Sequence, residues 1–99
     1  MNGIQVVTEP HRSAILRLIW ERERPAGEIA SQFDVTFGAV SQHLAVLRDA
    51  GFVDVRRVGN RRLYRAAPER IGSLRAVLEA MWATELDRLA TAIEEDRHG

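Results

Sequence analysis

The stretch TFGAVSQHLAVL, Thr36 to Leu47, holds no formal charge, in a chain whose residues are 28% charged. Thr36, Ser41, Gln42 and His43 can hydrogen-bond, and Gly38 and Ala45 are small. Val40, Leu44 and Leu47 recur at i, i+4 and i+7, the spacing of one apolar helix face. Phe37, Gly38, Ser41, Gln42 and Ala45 then look the other way, where a solvated helix would carry Glu, Lys and Arg. Neutral donors and acceptors near a helix start suit the base edges of a DNA major groove. The helix dipole there also favours phosphate. On this reading Ser41 and Gln42 reach bases or phosphates, and Thr36 contacts the DNA backbone. Gly38 permits close approach, and Phe37 packs on a thymine methyl or a sugar. His43 packs beside this helix, within reach of a phosphate. A second protein surface would also exclude charge, which leaves a protein-interaction module as the alternative.

A second feature follows at once. All the basic residues are arginine, and six of them (Arg48, Arg56, Arg57, Arg61, Arg62, Arg65) fall in 48–65 against two acids, although the whole chain is neutral. A basic segment in a neutral protein is a footprint for an anion when it lies on one surface. Arginine suits phosphate forks and narrow grooves. Arg61 and Arg62 would meet the phosphate backbone or enter the minor groove, with Arg56, Arg57 and Arg65 on the flanks.

These residues need a scaffold. Glu9-Pro10 reads as a helix start, with Ile15, Leu16, Leu18, Ile19 and Trp20 giving an apolar face up to about Arg22. Arg24-Pro25-Ala26-Gly27 breaks it, and residues 1–8 have an apolar patch without clear structure. A short helix from Gly27 to Phe33 and a tight turn at Asp34-Val35-Thr36 lead into the neutral helix. There Thr36 is the N-cap, Val35 and Val40 form a hydrophobic staple, and Gly51 ends the helix near Ala50. The period then becomes two: Val53 and Val55 alternate with charge, as does Leu63, across a tip at Val58-Gly59-Asn60-Arg61 where positive φ is expected. Pro68 opens a last helix over about 71–96. Its stripe (Ile71, Leu74, Leu78, Trp82, Leu86, Leu89, Ile93, with Met81) is too apolar for a small core to cover alone.

Two helices, a short turn, a capped helix and a hairpin spell a winged helix-turn-helix: mainly α, with a two-stranded wing. The expectation is one domain over 1–99, with the helix-turn-helix and wing in 9–69 and a dimerisation helix in 70–97. Pairing with a second copy through Leu78, Met81, Trp82, Leu86, Leu89 and Ile93, beside Ile15, Leu18 and Ile19, would cover the stripe. Trp82 is the expected anchor. A two-fold dimer sets its recognition helices about 34 Å apart and demands a palindromic site.

The runs HRSAILRLIW, GEIASQF and FGAVSQHLAVLRDAGFVDVRRVGNRRLYRAAPE resemble the ArsR/SmtB winged-helix repressors of bacteria over about Glu9 to Glu69. The resemblance implies a homodimeric repressor that binds imperfect palindromes in double-stranded DNA and releases them when an effector binds. It places DNA contacts on Phe37, Gly38, Ser41 and Gln42, and on the wing around Asn60 and Arg61. Thr36 stands where the family often has serine. Many relatives sense metal through cysteines, and this chain has none. Others use an Asp-x-His pair with histidines on the last helix, whose only histidine here is His98. Carboxylates alone (Glu79, Glu85, Asp87, Glu94, Glu95) make poor sites for zinc, nickel or copper, and His11, His43 and His98 are widely separated in sequence.

The expectation is therefore no metal site, no cofactor and metal-independent repression. No nucleophile–base pair is apparent, so no catalytic centre is expected. The effector, if any, would be an unknown small molecule. No apolar run reaches the length of a membrane span and no secretory signal is apparent, so no membrane partner and a cytoplasmic location are expected.

Overall fold

The computed structural model describes residues 1–85. It begins with a helix the sequence pattern left unstructured, α1 (Gly3–Thr8). Asn2 accepts from the Gln5 amide while the Gln5 side chain accepts from the Asn2 amide, a reciprocal capping box. Helix α2 (Pro10–Leu18) follows, capped by Glu9. It stops a turn short of Arg22 because the chain tightens at Ile19 and Trp20, whose N–H bonds to the Arg17 carbonyl.

Arg24–Pro25 breaks the helical pattern as expected and also forms β1, which pairs antiparallel with a later strand. Next come α3 (Ala26–Ala30), α4 (Phe37–Asp49), β2 (Val53–Val58), β3 (Arg61–Ala66) and α5 (Pro68–Ile71). Helix α3 is shorter than the expected Gly27–Phe33. The N–H groups of Gln32 and Phe33 reach back only three residues, so the last turn is tighter than an α-helix. The sheet has three strands in the order β1-β3-β2, not the two of a bare hairpin.

At the hairpin tip only Gly59 takes positive φ (60°); Asn60 does not. One positive φ at the first central position is the pattern of a type II′ turn, which matches strand twist as a I′ turn would. The end of α4 meets expectation. Gly51 sits at φ 81°, its N–H bonds to the Arg48 carbonyl at 2.9 Å, and the Phe52 N–H bonds to the Leu47 carbonyl at 3.0 Å. That is a Schellman cap.

The expected continuous last helix is interrupted. Residues 68–71 make one short turn, and Gly72 at φ 61°, ψ −130° lies outside any helical region. Helix α6 then occupies residues 74–85. Among the described residues no helix is long and apolar enough to cross a membrane.

The core is where α1, α2, α3, α4, the inner sheet face and α6 meet. Val7, Ile15, Leu16, Ile19, Ile29, Leu47 and Leu78 have no exposed surface. This corrects the expected dimer face: Ile15, Ile19 and Leu78 are consumed by the core of one chain and have nothing to offer a partner. Leu18, Met81 and Trp82 are half-buried. Trp82 stands edge-on to Trp20 at 5.1 Å and donates its indole N–H to Ser13 Oγ at 3.2 Å, so it anchors α6 to α2 within the chain. Leu86, Leu89 and Ile93 lie outside the described residues.

Candidate nucleic-acid interface

Helix α4 divides as its sequence spacing requires. Val40, Leu44 and Leu47 are buried, while Thr36, Phe37, Gly38, Ser41 and Gln42 are exposed. Thr36 Oγ1 accepts from the Ala39 amide at 3.1 Å, which satisfies one orphan N–H of the first turn. Val35, the expected staple partner of Val40, is exposed. Phe37 is a large aromatic left 58% exposed. Thr36→Ala should lower stability by about 1 kcal/mol, read as a fall in the thermal midpoint by circular dichroism; an unchanged midpoint would remove the cap from the account.

Phe37 faces the wing. Together with Asn60, Arg61, Arg62 and residues 25–28 it lines a cleft of about 630 Å³ between the start of α4 and the hairpin tip. One side carries the Phe37 ring and the other Arg61 and Arg62, and the single carboxylate of the lining, Glu28, is paired with Arg24, so the cleft can receive an anionic, partly apolar strand.

Strand register sorts the arginines. Arg57 stands directly opposite Arg62, and Val58 opposite Arg61. Among the described residues, Arg57, Arg61, Arg62 and Arg65 make no ion pair, whereas Arg56 does. Its Nε donates to Glu23 Oε2 at 3.1 Å and its Nη2 to Oε1. The hydrogen bond from Arg56 holds the Glu23 carboxyl below the usual carboxylate range, and Glu23 raises the Arg56 guanidinium in turn. Arg56, expected on DNA, thus has an acidic partner that a phosphate would have to displace. Arg24 and Arg70 are similarly engaged, with Glu28 and Asp54.

His43 packs beside the helix, on the side that faces α2. Its side chain is half-buried and turned toward α2, with the ring stacked on His11 at 5.3 Å and 11°. Arg12 Nη1 donates to its Nδ1 at 3.3 Å, and Glu9 Oε2 lies 3.6 Å from the same nitrogen. Burial, then the Arg12 charge and His11, push the His43 ring below the ordinary histidine range against the pull of Glu9. Its contacts are with Glu9, His11 and Arg12 and not with the exposed side chains of Ser41 and Gln42.

Arg12, which sequence reading did not single out, is the hub. It is 8% exposed, and its Nε donates to the Val6 carbonyl at 2.7 Å and its Nη2 to the Gln5 carbonyl at 3.1 Å. It thereby ties the end of α1 to α4. Burial opposes the charge on Glu9, but hydrogen bonds from the Arg12 amide and from the ring and amide of His11, with His43 nearby, hold its carboxyl below the usual range.

Comparison with known proteins agrees with this geometry. The family described as bacterial regulatory protein, arsR family, matches residues 9–55. An HTH-type transcriptional regulator of Mycobacterium tuberculosis is 34% identical over 93% of this chain and 86% of its own length. The biofilm growth-associated repressor of Agrobacterium fabrum is 31% identical over 81% of this chain and 66% of its own. A crystal structure of a possible transcriptional regulator for arsenical resistance superposes with a TM-score of 0.71 at 36% identity, covering 93% of this chain and 96% of that one. These relatives are regulators of transcription, not enzymes.

Proposed function

The chain belongs to the ArsR family of bacterial regulatory proteins and is a DNA-binding transcriptional regulator, and from that premise we propose that it is a homodimeric repressor acting on a palindromic operator. One observation carries the reading: the exposed, uncharged start of α4 adjoins Arg61 and Arg62 of the wing, which make no ion pair among the described residues, across one cleft. Ser41 and Gln42 read base edges, Phe37 and Gly38 allow close approach, and Thr36 sets the helix start against a phosphate. Asn60, Arg61, Arg62 and Arg57 hold the DNA backbone. Operator binding itself calls for no metal, because every contact proposed is a group of this chain.

The dimer is proposed through the C-terminal helix. With Ile15, Ile19 and Leu78 taken by the core, the interface falls to Leu18, Met81, the exposed Ile4 and Val77, and the residues beyond 85. The place of action is the cytoplasm.

The test is fluorescence anisotropy on the chain's own upstream DNA and on a scrambled duplex, each at two salt concentrations. Preference for the upstream DNA with a steep salt slope supports the reading. Weak, equal binding to both would favour a protein-interaction role for the neutral face. Gln42→Ala should reduce discrimination between the two duplexes by about 1–3 kcal/mol if the contact is bidentate. Equal losses on both DNAs would assign Gln42 to the backbone.

A further inference from the structure

The fold gathers three groups that the sequence separates. Glu9 and His11 stand at the start of α2, His43 lies in the middle of α4, and their nitrogen and oxygen donors all fall within 4.8 Å of one another. Glu9 Oε1 is 3.1 Å from His11 Nδ1, and Glu9 Oε2 is 3.6 Å from His43 Nδ1. Both rings therefore turn Nδ1 to the same carboxylate, one to each oxygen. In a tetrahedral zinc centre, with bonds of about 2.0–2.2 Å to nitrogen and oxygen, neighbouring donors sit roughly 3.3 Å apart. The two distances from the carboxylate bracket that value.

Two imidazoles and one carboxylate form the donor set of an open zinc site, which leaves a position for water. Nitrogen donors select borderline cations over magnesium or calcium. The side chain of His11 is 41% exposed, which provides a way in. We propose that Glu9, His11 and His43 form a binding site for a borderline divalent cation, zinc(II) or cobalt(II), with solvent completing the coordination.

The neighbour that opposes this is Arg12. Its Nη1 uses the lone pair on His43 Nδ1 that a cation would need. On loading, the His43 bond passes from Arg12 to the cation, the His11 ring takes the tautomer with its proton on Nε2 so that Nδ1 is free to coordinate, and the guanidinium is pushed away from the new charge. Because the Arg12 Nε and Nη2 are bonded to the carbonyls of Val6 and Gln5, that movement strains both bonds, and the disturbance falls on the joint between α1, α2 and α4. Because α4 is the proposed recognition helix, loading should weaken DNA binding; this consequence rests on the functional reading above, while the site itself does not.

The experiment titrates tag-free full-length protein with cobalt(II) and follows visible absorption. The expected result is the strong d–d absorption of four- or five-coordinate cobalt, saturating at one equivalent per chain and displaced by zinc(II). His11→Ala should abolish it. Glu9→Gln, whose amide oxygen can still cap α2, should weaken cobalt binding at least tenfold, the loss typical even of groups that only support a ligand. Circular dichroism checks that both variants fold. A wild-type spectrum no stronger than that of the aqua ion, or one that survives in His11→Ala, overturns the site.

In anisotropy, zinc should lower operator affinity of the wild type and leave His11→Ala unchanged. Equal wild-type affinity with and without zinc overturns the coupling. Failure of the metal-free protein to bind DNA overturns the functional reading instead, and the cobalt titration is independent of that result.

Discussion

Leu44→Ala should lower the unfolding free energy by about 2–5 kcal/mol, the range for truncating a buried leucine in a packed core. Leu44 is 2% exposed and sits between Val40 and Leu47 on the face of α4 that closes onto α2 and α3. In a domain of this size about 1 kcal/mol moves the thermal midpoint by roughly 4–8 °C, and total stability is about 5–15 kcal/mol. The loss is therefore a large share of what holds the fold. Urea unfolding should show a lower midpoint with an unchanged slope, since the surface exposed on unfolding is nearly the same. Gln42→Ala, two residues earlier and exposed, should stay within about 0.5 kcal/mol of wild type. The two substitutions thus separate stability from recognition on one helix. A Leu44→Ala loss under about 1 kcal/mol would mean that α4 is not seated as described.

The division of α4 was legible because its period is long and clean. The same period held a signal that was overlooked. His43 lies three residues after Val40 and four before Leu47, which puts it at the edge of the buried stripe and not among Ser41 and Gln42. The neighbours it meets there, Glu9 and His11, are more than thirty positions away in sequence, and no local pattern pairs them. Helix α1 could have been anticipated, since Asn2 and Gln5 have the spacing of a capping box before Val6 and Val7. The break at Gly72 was readable too, but the apolar repeat from Ile71 to Leu78 runs straight through it and masks it. Strand β1 was not readable: two residues carry no period, and only the docking of β3 alongside makes them a strand. Tertiary packing likewise decided the dimer residues. A stripe of apolar side chains does not say whether its own core or a second chain will cover it, and for Ile15, Ile19 and Leu78 the core did.

Register gives the wing a property that charge counting could not, and it leads to a prediction with two opposite signs. Arg57 and Arg62 face each other across β2 and β3, and among the described residues neither has an acidic partner. Like charges directly opposite in a ladder are destabilising, so Arg57→Ala should raise stability slightly, by roughly a few tenths of a kcal/mol. If the pair grips phosphates, the same change should weaken every duplex alike. Each phosphate neutralised contributes about −0.9 to the slope of log affinity against log salt, so Arg57→Ala with Arg62→Ala should flatten that slope by up to about 1.8. Discrimination between operator and scrambled DNA should hardly change, because backbone contacts position a protein without reading sequence. Arg56 provides the internal comparison. It neighbours Arg57 but is already bound to Glu23, so Arg56→Ala should flatten the slope by much less than one contact. Equal effects of Arg56 and Arg57 would show that the Glu23 pair opens on binding and that net charge, not register, governs the wing. A salt slope unchanged in the double variant would remove the Arg57–Arg62 pair from the DNA backbone altogether. The expected combination, a fold that tightens as binding weakens, would mean that this repulsion is retained for the anion that relieves it.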